Sequence, residues 1–178
     1  MESGWSGGHS LDPLESAAAE EISGGCPLAD QMTLEHVATG ARDNAEQFGP
    51  VSAEQLAAAE ECEVRLDPQC PVEGMVIDPR DHAHPRRRII IVRPRRNRLR
   101  LVLAILHELA HVLLARVDAP HSHADVWCLT LALALPLGLL RRLRRDPQTT
   151  VEGLSRRASI PAWAIRIRLR MGAVVVAA

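Results

Sequence analysis

The chain has 178 residues, of which 47% are hydrophobic and 24% charged, and its formal net charge is −1. This length allows one compact domain with an apolar core, and no internal repeat or second domain is visible. The charge is unevenly distributed, because residues 1–80 hold 16 acidic residues against 3 Arg, whereas residues 81–178 hold 6 against 18. We expect the two halves to neutralise each other in the fold, so direct nucleic-acid binding is not the favoured function.

Several protein classes are disfavoured by the distribution of cysteines and apolar residues. The four cysteines have no CxxC spacing, which argues against a zinc knuckle or a redox pair: Cys26, Cys62, Cys70 and Cys128. The longest apolar stretch, Val126 to Leu140, is interrupted by Pro136 and is shorter than the ~20 residues of a membrane helix. The N-terminal residues do not contain a basic segment followed by an apolar run, so a secretory signal is not expected. We therefore expect a cytoplasmic protein with reduced thiols.

The N-terminal part is predicted to contain a leader and two helices. Residues 1–30 are rich in Ser, Gly, Glu and Ala and are expected to form a flexible leader, followed by a single domain over 31–172 and a tail over 173–178. Thr33 is a predicted N-cap of a helix that ends near Phe48. Ser52 and Gln55 have the spacing of a capping box and predict a second helix to about Cys62.

Three short runs of β-favouring residues follow, separated by Pro, Gly and Asp. They are Val64–Leu66, Met75–Ile77 and Arg88–Val92. This pattern predicts a small three-stranded antiparallel sheet and hence an α+β fold. His82 and His84 lie in the loop between the second and third strands, where histidines are usually solvated.

An HExxH motif lies in a predicted helix from Arg98 to Arg116, for which Asn97 is the expected N-cap. Residues four apart share a helix face, so His107 and His111 can bind one metal ion. Glu108 can then take a proton from a water on the open side of the metal, as in zinc hydrolases. The flanks are apolar all round, which predicts a buried helix in which three ionisable side chains need a partner.

The third ligand is expected at the start of the next helix, predicted from Asp125 to about Leu135. A catalytic zinc uses three protein ligands and one open position. The metzincin spacing would require a His ligand at position 117, which is Val. A thermolysin-type site would require a downstream Glu ligand, but no Glu occurs between Glu108 and Glu152. The favoured ligand is His123, which shares a face with Trp127, and the alternatives are Asp125 and His121. Asp125 could instead accept a hydrogen bond from the second ring nitrogen of a ligating histidine, or it could cap the helix.

The C-terminal part is predicted to contain further helices built on Leu137–Arg145, Val151–Arg157 and Ile160–Met171. The segment from Val151 to Leu169 has a weak helix-turn-helix pattern with many Arg residues, but its turn lacks Gly.

The sequence resembles the ImmA/IrrE family of small zinc metallopeptidases over roughly Thr33 to Gly172. The similarity includes the helix and strand before the motif, the segment Arg100–His111 and the downstream segment ending at Pro136. The family commonly has Glu where this chain has His123. The stretch His123–Trp127 also resembles the corresponding segment of SprT-like metalloproteases, which would likewise make His123 the ligand.

The resemblance implies a zincin-like α+β fold, a bound Zn²⁺ and cleavage of a protein, typically a DNA-bound transcriptional repressor. Glu108 would be the catalytic residue, with His107, His111 and His123 as zinc ligands. Two alternatives are a catalytically silent zinc module that binds a partner, and a DNA-binding regulator.

Overall fold

The computed structural model describes residues 13–23, 28–46, 52–77, 87–117, 120–144 and 150–177. Within these ranges there are eight helices and three strands. None of the described helices combines the length and the apolar character needed to cross a bilayer.

The chain forms an α+β fold, as the sequence predicted. In chain order the elements are α1 (Pro13–Ser23), α2 (Leu28–Glu46), α3 (Ala53–Ala59), β1 (Cys62–Leu66), β2 (Gly74–Ile77), β3 (Arg88–Val92), α4 (Arg98–Leu114), α5 (His123–Ala134), α6 (Leu137–Arg144), α7 (Val151–Ala158) and α8 (Ala162–Ala177).

The sheet is mixed, so the prediction of an antiparallel sheet is wrong. The strand order is β1-β3-β2, in which β3 pairs parallel with β1 and antiparallel with β2. The physical reason is that β3 is the most apolar strand, and its Ile90 and Val92 are fully buried. It therefore takes the central position between β1 and β2. The order of the strands along the chain does not show that the third strand lies between the first two.

The core is built around α4 and α5. All residues of α5 from Val126 to Ala134 are buried, and α5 packs on α1, α2, α4 and α8. A helix that is apolar on every side has to lie in the centre of the fold. α4 packs on α5 and also on β2 and β3, so it lies between the central helix and the sheet.

Two N-terminal expectations need correction. Part of the expected flexible leader is α1, which packs on α5 and α8 and buries Ala18 completely. Thr33 is not a cap, because α2 begins earlier, at Leu28, and Thr33 lies inside it. Ala29, Gln31 and Met32 have high helix propensity and favour extension of the helix upstream of Thr33. The predicted capping box of Ser52 and Gln55 is confirmed at the start of α3.

The C-terminal end of α5 is held by two arginines from other helices. Arg42 of α2 donates from Nε to the Leu133 carbonyl at 2.8 Å, and Arg168 of α8 donates from Nε to the Leu135 carbonyl at 2.9 Å. The last carbonyls of a helix have no partner within the helix, and cations suit its negative end. Arg168 is 1% exposed and also forms an ion pair with Glu35. It is therefore a structural residue and is not part of a basic surface.

The expectation of reduced thiols is wrong at one position. Cys128, on α5, is disulfide-bonded, whereas Cys62 and Cys70 are free and buried. Linear spacing of cysteines does not determine which of them pair, so the sequence alone did not predict this bond.

Candidate metal centre

α4 presents His107, Glu108 and His111 in the way that the motif predicted. The helix begins after Asn97, whose side-chain oxygen accepts from the Leu99 N–H at 3.0 Å. The centroids of the two imidazole rings are 5.1 Å apart. This confirms that His107 and His111 lie one turn apart on the same face of the helix.

His123 reaches the same place from α5. Ser122 and Asp125 form a capping box that fixes the first turn of this helix and makes His123 its first residue. The Nε2 atoms of His123 and His107 are 3.1 Å apart. Among the described residues, His107, His111 and His123 form a group whose potential ligand atoms all lie within 4.8 Å of one another, so they are close enough to bind one metal ion.

A hydroxyl group sets the orientation of the His107 ring. Thr130 donates its hydroxyl proton to the Val126 carbonyl at 2.7 Å, so its oxygen can accept from Nδ1 of His107 at 3.4 Å. A proton on Nδ1 leaves the lone pair on Nε2, the atom that faces His123. This tautomer is the one needed for a metal bond through Nε2.

Burial keeps the two histidines of α4 neutral. Removal from water, together with the neighbouring His111 and His123, lowers the pKa of His107 to about 3. Burial also lowers the pKa of His111, with contributions from His123 and His121. A neutral imidazole has the free lone pair that a metal requires, so no proton has to be displaced from these two residues near neutral pH.

Glu108 is a buried carboxyl group in contact with the sheet. It is 9% exposed, and burial raises its pKa to about 7. Its side chain packs against Gly74, the first residue of β2, where a Cβ atom would lie 2.8 Å from Cγ and Oε1 of Glu108. Only glycine therefore allows β2 to pass so close to this carboxyl group without displacing it.

The four side chains line one cleft of about 470 Å³. Its remaining lining comes from α1, the turn before β2, the first residue of β2, α4 and α5: Ala17, Val72, Glu73, Gly74, Leu103, Ala104 and Trp127. Trp127 packs on His107 with ring centroids 4.4 Å apart, and its buried indole N–H has no hydrogen-bond partner among the described residues. The histidines and Glu108 thus face the same accessible space.

The two alternative ligands lie elsewhere. The Asp125 carboxylate accepts from the backbone N–H and the hydroxyl of Ser122, both at 2.7 Å. Asp125 therefore takes part in capping, but the N-cap itself is Ser122. His121 and Asp125 line a separate small pocket with residues of α2. Neither belongs to the described three-histidine group. His82 and His84 lie outside the described residues.

Three residues at this site were missed in the sequence. Thr130 had a visible signal, because it is a polar residue inside an otherwise apolar helix. Gly74 had a weaker signal as a glycine at the start of a strand. Glu21 had none: its Oε2 lies 2.5 Å from Nδ1 of His123, 102 positions further along the chain.

Comparison with known proteins yields no match for this chain among protein-family models, curated proteins or solved structures. The candidate site therefore rests on its own geometry.

Proposed function

We propose that this protein is a zinc-dependent metallo-endopeptidase. The observation that carries the proposal is the convergence of three histidines with a buried glutamate in one open cleft. A three-histidine set with an accessible fourth position is typical of catalytic zinc, whereas structural zinc is usually enclosed by four protein ligands. His107, His111 and His123 would hold the ion.

The donor set fits zinc. All three ligands are imidazoles, which suit Zn²⁺ and other late first-row metals but not Mg²⁺ or Ca²⁺. His107 has Nδ1 next to Thr130, and His123 has Nδ1 next to Glu21, so Nε2 of each ring is the atom left for a metal.

Glu108 is the proposed general base and general acid. Zinc bound at the histidines would polarise the scissile carbonyl and lower the pKa of the attacking water. The Glu108 carboxylate would accept a proton from that water and later return it to the amine of the leaving peptide. In the metal-free protein burial raises the pKa of Glu108 to about 7, and the positive charge of a bound Zn²⁺ would lower it, which favours the carboxylate that accepts the proton.

The outer edge of β2 is the proposed binding surface for the substrate backbone. In the described part of the sheet β2 is an edge strand with β3 on one side, and residues 72–74 line the cleft beside Glu108. An extended peptide that adds to this edge would run past the carboxyl group at Gly74. Val72, which is 51% exposed, offers an apolar contact for a substrate side chain.

The proposed substrate is a protein, and the resemblance to ImmA/IrrE peptidases suggests a DNA-binding repressor. This agrees with an open cleft next to a strand edge, which selects extended peptide over small metabolites. Regulation of transcription would then follow from loss of the repressor.

The test is a search for new peptide termini. The zinc-loaded protein is incubated with a peptide library derived from a bacterial proteome, and separately co-expressed with transcriptional regulators encoded next to its gene. Mass spectrometry identifies the N-termini produced. We expect cleavage with the parent protein and a loss of ~10²–10⁴-fold with Glu108→Gln, which keeps the zinc but cannot transfer the proton.

Glu54→Gln is the matched control, because this glutamate is exposed on α3, outside the cleft. Equal cleavage by the parent and Glu108→Gln would contradict the proposed role of Glu108. If the parent binds zinc and a regulator but cuts nothing, the alternative of a silent partner-binding module replaces the peptidase.

A further inference from the structure

The N-terminal helix α1 contributes a carboxyl group to the candidate metal centre. Oε2 of Glu21 lies 2.5 Å from Nδ1 of His123, while Nε2 of the same ring lies 3.1 Å from Nε2 of His107. One ring nitrogen thus faces the carboxyl group and the other faces the histidine group.

The packing of α1 explains how Glu21 is held there. Ala18 is fully buried and Ile22 packs on the core, and these residues lie four apart on one face. Ala17 and Glu21 lie four apart on the neighbouring face, and Ala17 lines the cleft. The buried face docks α1, and the adjacent face directs Glu21 towards His123.

The location of Glu21 within its own helix is unfavourable. It lies in the last turn of α1, where the negative end of the helix dipole disfavours a carboxylate. A carboxylate at this position is therefore stabilised by a hydrogen-bond donor from another element. The Nδ1–H of His123 can be that donor.

His123 needs an external support more than the other two histidines do. It is the first residue of α5, and its side chain is 48% exposed, so packing constrains its ring less than it constrains a buried side chain. His107, in contrast, is packed against Trp127 and Thr130. A hydrogen bond at Nδ1 supplies His123 with both a defined orientation and a defined tautomer.

We propose that Glu21 is a positioning residue that accepts a hydrogen bond from Nδ1 of His123 and thereby presents Nε2 to the metal. This inference rests on the proposed metal site. It makes α1 part of that site, although the sequence of this region resembled a leader.

The test measures zinc affinity by competition with a chromophoric chelator in the full-length protein. Removing a residue that orients a ligand weakens metal binding ~10–100-fold, and we expect this for Glu21→Ala. Glu21→Gln should lose less, because its amide oxygen can still accept the same hydrogen bond. Glu15→Ala and Glu15→Gln are the matched controls on α1 and should bind zinc as the parent does.

A second readout separates positioning from a purely structural role. In the zinc-loaded protein, long-range ¹H–¹⁵N correlation spectra should contain a downfield Nδ1 proton of His123. This signal should move upfield in Glu21→Gln and disappear by exchange in Glu21→Ala, while the signals of His107 stay in place. A purely structural role would lower the stability of the metal-free protein without a selective change at His123.

The outcomes distinguish this inference from the proposed function. If the parent binds zinc and Glu21→Ala binds it as tightly as Glu15→Ala, the role of Glu21 is refuted and the peptidase proposal stands. If the parent binds no zinc, both are refuted.

Discussion

Replacing Gly74 with alanine tests whether the exact placement of Glu108 governs activity. The added Cβ would lie 2.8 Å from Cγ and Oε1 of Glu108 and 3.1 Å from its Cδ. Carbon atoms in non-bonded contact prefer ~3.5–4.0 Å, so the glutamate side chain has to retreat by roughly 0.7–1.2 Å. β2 cannot easily move instead, because it is paired with β3.

A displacement of this size has a calculable effect on rate. Misplacing a catalytic group by ~1 Å costs on the order of 10²-fold, which corresponds to ~2.7 kcal/mol of transition-state stabilisation. Zinc affinity should stay unchanged, because the contact involves Glu108 and not the three histidines. The free energy of unfolding should fall by ~1–3 kcal/mol, the usual cost of overpacking.

The assay compares kcat/KM on the cleaved peptide, zinc affinity and urea unfolding for Gly74→Ala and for Gly138→Ala. A Cβ at Gly138 meets nothing within 4 Å, so this control should behave as the parent or be slightly more stable. If Gly74→Ala retains kcat/KM within about twofold of the parent, the placement of Glu108 does not limit the reaction and our reasoning fails.

Three further predictions concern the ligands, pH and the buried ion pair. His123→Ala should empty the zinc site while His121→Ala keeps it; equal zinc content by atomic spectroscopy would contradict the assignment. In the metal-free protein burial raises the pKa of Glu108 from 4.5 to about 7, so unfolding releases a proton between these values and the stability of the parent falls as the pH rises through them. Glu108→Gln has no titratable group at this position, so its free energy of unfolding should not show this decrease. The difference in free energy of unfolding between Glu108→Gln and the parent, measured by urea titration, should therefore increase by up to about 3 kcal/mol in favour of the variant from pH 4.5 to above pH 7; a pH-independent difference would refute this. Arg168→Met should cost ~3–5 kcal/mol in urea unfolding, because it removes the charged partner of the largely buried Glu35 carboxylate. Arg166→Met on the exposed face should change little, and a loss below ~1 kcal/mol for Arg168→Met would contradict the role of the pair.

The sequence predicted those parts of the fold whose signals are local. The N-cap Asn97, the capping box at Ser52 and the face shared by His107 and His111 each depend on residues within one or two helical turns, and all are confirmed. The packing of α5 on α4 limits the third ligand to the start of α5, and the face shared with Trp127 favours His123, which the structure brings into the group.

Features that depend on distant contacts were not predictable in this way. The insertion of β3 between β1 and β2 reflects competition among three strands for the buried position, and no single strand encodes it. α1 is stabilised by packing on a surface formed by α5 and α8. Its few small apolar residues do not predict a stable helix without that surface. Glu21 shares no pattern with His123, since only tertiary packing brings them together.

α5 links the candidate site to the rest of the core. Its 12 residues span about 18 Å, with His123 at one end and the carbonyls bound by Arg42 and Arg168 at the other. A packed helix moves as a nearly rigid rod, so a change in how its C-terminal end is anchored shifts or tilts its N-terminal end as well. We therefore expect the position of His123 relative to His107 to depend on Arg168, a buried residue that contacts the opposite end of α5. A substitution at Arg168 should consequently weaken zinc binding in the molecules that remain folded, in addition to lowering their stability.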